Sequence, residues 1–189
     1  MNTVLLVPDY TLLAPFLGSL RNVEIVGLDP QKRNDAFSPW KATVTALKKE
    51  GIFDGHADAY LTEVLSILRP RLAEDGKVGI LGISLGALFG VYATIREPIF
   101  SFCASISGSF WFPGWTQWLQ KQKMPRTAYF FCSGEDEGRG RTDALKDSRS
   151  ATDFTSSHLH GTYLTDPKGH MSYLKERTAS CVTWIQSQL

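Results

Sequence analysis

The 189-residue chain has almost no net charge: 20 Lys+Arg against 19 Asp+Glu, or +1. A general nucleic-acid grip or a polybasic membrane anchor is therefore not expected. Cysteine is also scarce. Cys103, Cys132 and Cys181 are odd in number and irregularly spaced, with no CxxC or Cys/His pairing. No disulfide framework or zinc site is legible in that pattern. Each lies in an apolar run, which reads as a buried, reduced thiol in a reducing compartment. No apolar run reaches the roughly 18 residues of a membrane span. The first twenty residues are apolar but carry no Lys or Arg near the start, and Pro8 and Asp9 interrupt them. They do not read as a signal peptide. Repeats, low-complexity segments and Pro/Gly/Ser linkers are missing too, and no GxGxxG follows the first apolar run. A dinucleotide cofactor is not expected, nor any other cofactor or metal. These absences point to a soluble, cytoplasmic protein with a small-molecule ligand.

What is present is ordinary globular material, 43% hydrophobic and 21% charged. The length suggests one domain over residues 1–189. Six short apolar runs read as strands: residues 3–7 (TVLLV), 23–28 (VEIVGL), 77–83 (KVGILGI), 101–106 (SFCASI), 128–132 (AYFFC) and 161–165 (GTYLT). Helical patterns alternate with them at 58–72, 85–95, 115–122, 142–158 and 171–188. The first carries Leu61, Val64, Leu65, Leu68 and Leu72 on one face. The last carries Leu174, Thr178, Cys181, Val182 and Ile185. Alternation of this kind predicts an α/β fold, a mostly parallel sheet of about six strands with helices on both faces. Residues 30–40 (PQKRNDAFSPW) and 134–141 (GEDEGRGR) read as surface loops.

The sharpest motif is Gly82-Ile83-Ser84-Leu85-Gly86, a GxSxG. At about 7% per residue type, chance alone would place one in about one chain in twenty of this length. Its setting adds weight: an apolar strand ends just before it and an apolar helix begins just after. Such a strand–turn–helix is what a nucleophile elbow requires. The turn is tight, and glycine at 82 and 86 removes collisions that side chains would make. Ser84 Oγ would then stand above the sheet, with the Leu85 N–H at a helix start to face an oxyanion.

A serine hydroxyl needs a base and an orienting acid. Serine, acid, histidine is the expected chain order on such a fold. His56 precedes the serine, and His158 and His160 lie before the last strand, toward the sheet's opposite edge. His170, in the loop after that strand, is placed to reach back. The acid belongs after the fifth strand, where Glu135, Asp136 and Glu137 crowd one turn. A glycine followed three residues on by the acid selects Glu137, with Asp136 its rival and Glu135 third. Asp166 is an outsider, four residues before His170.

In combination these stretches resemble the esterase branch of the α/β-hydrolases, the group with enterochelin (siderophore) esterases, esterase D-like enzymes and mycolyltransferases. Arg33 with Phe37-Ser38-Pro39-Trp40 is similar to that group's Arg-plus-SPW loop. Residues 55–61 (GHADAYL) followed by Leu68-Arg69-Pro70 resemble the helix before the nucleophile strand. Residues 82–92 (GISLGALFGVY) resemble GHSLGGLFALY, and residues 106–111 (ISGSFW) resemble ISPSLWW. The resemblance covers about residues 4–185. It implies an α/β-hydrolase-type domain and ester hydrolysis by Ser84, His170 and an acid through an acyl-enzyme. Ile83 and Ala87 depart from the group's histidine and second glycine. The front is shorter, without the leading antiparallel strands, which implies a more open site or an edge covered by a second subunit. Pro8-Asp9-Tyr10 replaces the Asp-Gly that carries the second oxyanion donor, a role left to the N–H of Tyr10 or Thr11. Phe110, Trp111, Phe112, Trp115 and Trp118 are candidates for a hydrophobic cleft wall, or for plain packing. Arg33 and residues 139–141 are candidates to orient an anionic group, with surface solvation the plainer role. Acyl transfer or thioester hydrolysis would use the same residues. A non-catalytic binding module on a reduced scaffold is the alternative from another class.

Overall fold

The computed structural model describes residues 3–46 and 49–189. β1 (Thr3–Pro8) leads to a short helix α1 (Tyr10–Leu13), β2 (Glu24–Leu28) and α2 (Arg33–Phe37). A hairpin follows, β3 (Ala42–Ala46) with β4 (Lys49–Phe53), then α3 (Ala57–Leu68). Next come β5 (Lys77–Ile83), α4 (Leu85–Arg96), β6 (Phe100–Ile106), α5 (Trp115–Leu119), β7 (Ala128–Gly134), α6 (Ser148–His158), β8 (Thr162–Asp166) and α7 (Leu174–Gln186).

The six runs read as strands form one sheet in the order β2-β1-β5-β6-β7-β8. Every neighbouring pair in it is parallel. Their near-continuous apolar character follows from burial on both faces. Side-chain alternation sorts them into two layers. Val4, Leu6, Val78, Ile80, Cys103, Tyr129 and Phe131 face α3, α4 and a cluster of buried aromatics. Leu5, Val7, Leu81, Ile83, Phe102, Phe130 and Cys132 face Leu13, Leu17 and the Cys181, Val182 and Ile185 stripe of α7. Each fully buried side chain of this size stabilises the fold by about 1.5–3 kcal/mol relative to exposure. α4 is buried along Leu85–Thr94 and lies over the middle of the sheet. β8, at one edge, is polar and largely exposed.

The chain fills the sheet outward from β1 to β2, then returns to the other side of β1 with β5. The order therefore reverses between β1 and β5. Ligands of open α/β sheets bind at such a reversal, beyond the strands' carboxyl ends. The serine motif ends β5, and Asp9 follows β1.

Two loop expectations need correction. Residues 30–40 contain α2, and Phe37 and Ser38 are fully buried. Phe37 packs on Phe89 and Tyr60, with ring centroids 5.5 and 5.7 Å away. Aromatic content outweighed the turn-like composition there. In residues 134–141, Gly134 ends β7 and Glu137 is only 6% exposed. A charged residue is interior there because it has hydrogen-bond partners. The β3–β4 hairpin was not anticipated. It places Phe53 edge-on against Phe112 at 5.4 Å. Among the described residues no helix is long and apolar enough to cross a membrane.

Candidate active site

Ser84 stands between β5 and α4 with φ 55° and ψ −120°. A non-glycine residue with positive φ is strained, and such strain needs surrounding support. Here the Ser84 N–H donates to Ile106 O at 2.9 Å, and Ser84 O accepts from the Ser109 N–H at 3.0 Å. The turn also needs its glycines. A Cβ on Gly82 would lie 2.3 Å from Gly86 O, and one on Gly86 would lie 2.8 Å from Asp9 Oδ2.

His170 follows β8 on a loop and reaches back to the elbow. Its Nε2 lies 3.1 Å from Ser84 Oγ. Its Nδ1 lies 2.9 Å from Glu137 Oε2. The other Glu137 oxygen, Oε1, accepts from Ser107 Oγ at 2.7 Å, the Gly134 N–H at 2.8 Å and Arg177 Nη1 at 3.0 Å. Burial alone would raise the Glu137 carboxyl. Hydrogen bonds from His170, the Gly134 N–H and Ser107 outweigh burial and hold it below the ordinary carboxylate value. A histidine with one nitrogen on a carboxylate and the other on a hydroxyl can relay the hydroxyl proton.

The rival acids are engaged elsewhere. Asp136 pairs with Arg139 at 2.6 Å. Glu135 Oε1 accepts from Thr165 Oγ1 at 3.2 Å. Asp166 is bound by the Arg177 guanidinium, at 2.6 Å to Nε and 2.9 Å to Nη2. The other histidines do not line the cleft with Ser84: His56 precedes α3, while His158 ends α6 and His160 follows it.

Leu85 and Tyr10 each open a helix, so neither N–H has a carbonyl one turn back to bond. Leu85 lines the cleft with Ser84; Tyr10 does not. The turn that carries Tyr10 is nevertheless tied to the elbow. Asp9, at φ 63°, receives Arg33 Nε and Nη2 at 2.6 Å each. Arg33 Nη2 also reaches Ile83 O at 3.4 Å. Thr11 falls out as a donor to substrate, because its N–H is directed at the Asp29 carboxylate at 3.2 Å.

Ser84 and His170 open into a cleft of about 530 Å³. Phe53, Leu85, Trp111 and Leu145 supply its apolar surface, and Asp136, Arg139 and Arg141 its charged rim. Of the five aromatics that the sequence offered as a cleft wall or as plain packing, only Trp111 lines this cleft. Phe110, Phe112 and Trp115 are at most 2% exposed and belong to the core. Trp115 Nε1 donates to Thr155 Oγ1 at 2.9 Å. Trp118 packs between Trp40, Tyr92 and Trp115. Arg33, Arg139 and Arg141 are all paired with carboxylates, those of Asp9, Asp136 and Asp143. Among the described residues, no group of three or more His, Cys, Asp or Glu is placed to hold a metal ion.

Sequence reasoning missed three neighbours. Ser107 and Ser109 lie in the ISGSFW stretch, and Ser109 Oγ is 3.2 Å from Ser84 Oγ. Arg177 lies three residues after Leu174, within the inward stripe of α7. A charge inside an apolar stripe was the signal.

The reversal in strand order, the strained serine between β5 and α4, and the histidine beyond β8 define the class: this is the α/β-hydrolase fold. No family model matches the chain. A curated relative is the uncharacterized protein YbbA of Bacillus subtilis (strain 168), 26% identical over 189 residues, with 88% of this chain and 74% of that protein covered. Among solved structures, the siderophore hydrolase EstA of Aspergillus nidulans superposes with a TM-score of 0.74 at 17% identity, over 99% of this chain and 82% of that one. The acyl-protein thioesterase 2 of Zea mays gives 0.64 at 15% identity, over 98% and 93%.

Proposed function

We propose that this protein is a serine esterase that cleaves a carboxylic ester of a small molecule. The observation that carries the reading is the continuous chain from Ser84 Oγ through His170 to Glu137, at 3.1 and 2.9 Å, opening into the cleft. Ser84 Oγ attacks the ester carbonyl while His170 Nε2 takes its proton. His170 then gives that proton to the departing alkoxide, leaving an acyl-Ser84. Water, activated by His170, attacks the acyl-enzyme and regenerates Ser84. Glu137 holds the tautomer with its proton on Nδ1 and stabilises the imidazolium. The Leu85 N–H donates to the tetrahedral oxyanion; the second donor we propose is the Tyr10 N–H, which lies outside the cleft lining but on the turn that Asp9 and Arg33 tie to the elbow. None of these steps calls for a metal or cofactor.

Phe53, Leu85, Trp111 and Leu145 offer an apolar seat for a compact acyl or aryl group. Hydrolase and thioesterase names among the solved neighbours agree with this chemistry. The same acyl-enzyme would serve a thioester, or transfer to an alcohol, so thioester hydrolysis is the second reading. Three buried free thiols suit a reducing compartment, and we place the protein in the cytoplasm.

The test is intact-mass labelling with a small fluorophosphonate, on wild type and on Ser84→Ala. One adduct on wild type and none on the variant is the expected result. Ser84→Ala should also lower kcat on a reactive aryl ester by about 10⁴–10⁶-fold. No adduct on folded wild type would overturn the proposal and favour a binding module on this scaffold. Comparing oxygen esters, thioesters and added alcohols would then sort hydrolysis from transfer.

A further inference from the structure

Arg177 is 3% exposed, yet its guanidinium meets acceptors on three separate segments. Nε and Nη2 form a fork on Asp166 at the end of β8, at 2.6 and 2.9 Å. Nη1 reaches Glu137 Oε1 at 3.0 Å and Ser107 Oγ at 2.7 Å. Two backbone carbonyls of the His170 loop complete the set, His170 O at 2.9 Å from Nη1 and Gly169 O at 3.0 Å from Nη2. One side chain of α7 therefore holds both the carboxylate that faces His170 and the loop that carries His170.

A buried guanidinium needs compensation, and the two carboxylates supply it. A purely structural tie between β8 and α7 would need only the Asp166 fork. The contacts of Nη1 go further: they fix Oε1 of Glu137, which leaves Oε2 for Nδ1. Carbonyls 169 and 170, held at the same time, fix the distance over which Nδ1 and Oε2 meet. We infer that Arg177 is a positioning residue for the Glu137–His170 pair, setting both the geometry of the imidazole and the net charge it faces. The inference rests on the catalytic reading of Ser84, His170 and Glu137, but its geometric part does not require that the reaction be ester hydrolysis.

The Arg177 cation offsets part of the negative charge of Glu137. Taking the cation away makes the surroundings of the imidazole more negative, which favours its protonated form. The other charged groups near the pair are Asp166, held by Arg177, and Asp136, Arg139 and Arg141, which line the cleft with Glu137 and His170. All of them stay in place in the experiment.

The experiment follows the His170 imidazole by ¹⁵N NMR across pH in wild type, Arg177→Met and Arg177→Lys, with fluorophosphonate labelling rates measured in parallel. Arg177→Met should move the His170 titration to higher pH, and labelling should slow by about 100-fold, the scale of a 1 Å misplacement. Arg177→Lys keeps the charge but loses the fork. Its His170 titration should stay near wild type while the Nδ1 proton exchanges faster with water and labelling slows. A folded Arg177→Met with the wild-type titration overturns the proposal. If Arg177→Met does not fold, Arg177→Lys decides alone: wild-type labelling and wild-type Nδ1 proton exchange would overturn it. Failure of wild type to label, with the NMR shifts still present, would sink the esterase reading and leave the role of Arg177 standing.

Discussion

The two oxygens of Glu137 face different ways: Oε2 meets His170 Nδ1 at 2.9 Å, and Oε1 meets Arg177 Nη1 at 3.0 Å beside Ser107 Oγ and the Gly134 N–H. Its neighbour Asp136 points to Arg139 on the rim. The two carboxylates are adjacent in sequence and differ in surroundings, which makes their substitution informative. Glu137→Gln keeps the shape but cannot hold the same imidazole tautomer. It should lower kcat on an aryl ester by about 10⁴-fold. Asp136→Asn should cost less than about tenfold, since it removes only a rim ion pair. Steady-state hydrolysis of the two variants checks the ranking, and the reverse order would assign the acid to Asp136.

The pH dependence of stability carries a second prediction. The Glu137 carboxyl lies below its ordinary value in the folded protein. A depressed carboxylate contributes stability above its unfolded value, about 4.3, and loses it as pH falls through the folded value. Denaturant unfolding at steps from pH 7 to pH 3 should therefore show a steeper acid loss in wild type than in Glu137→Gln. Parallel curves would mean that the hydrogen bonds to Glu137 do not favour its ionised form.

What could be read from the sequence divides along physical lines. Strands covered on both faces announce themselves as apolar runs, and all six were legible. Glycine at 82 and 86 marked the elbow, because a tight turn limits which residues fit. His170 was selected by chain order and loop position, and Gly134 with a carboxylate three residues on selected Glu137 ahead of Asp136. The buried state of that carboxylate was not legible. It depends on Arg177 and Ser107, which lie 40 and 30 residues away in the chain. Composition likewise disguised α2, since polar residues at 31–35 hide the inward Phe37. The aromatic cluster at 110–118 signalled apolar surface but not its direction, and most of it faces the core.

Gly134 offers a third test, because the close approach around it is steric. A Cβ there would lie 1.7 Å from Lys168 O and 2.5 Å from Arg177 Nη2. The carbonyl belongs to the backbone two residues before His170, so relief requires the loop to move. Gly134→Ala should destabilise the protein by about 1–3 kcal/mol, the usual range for overpacking. It should also slow fluorophosphonate labelling by about 100-fold through displacement of His170. Gly18→Ala meets nothing within 4 Å and is the control. Equal labelling of the two variants would show that the loop yields without moving His170.

The cysteines give the last prediction. Cys103, Cys132 and Cys181 are free and buried. Burial pushes the Cys103 and Cys181 thiols well above the ordinary thiol value. Cys132 Sγ lies 3.6 Å from Cys181 Sγ and 3.8 Å from Arg177 O, so this thiol pair packs against the turn of α7 that carries Arg177. The thiolate is the reactive form, and a buried neutral thiol is inert. A disulfide reagent at pH 8 should therefore titrate no thiol in the native protein and three in guanidinium chloride. Reaction of two thiols in the native state, with Cys103 protected, would mean that α7 opens locally from β7. Because α7 also carries Arg177, the same opening would then release Glu137 and the His170 loop, and the rate of thiol exposure would measure how often the site comes apart.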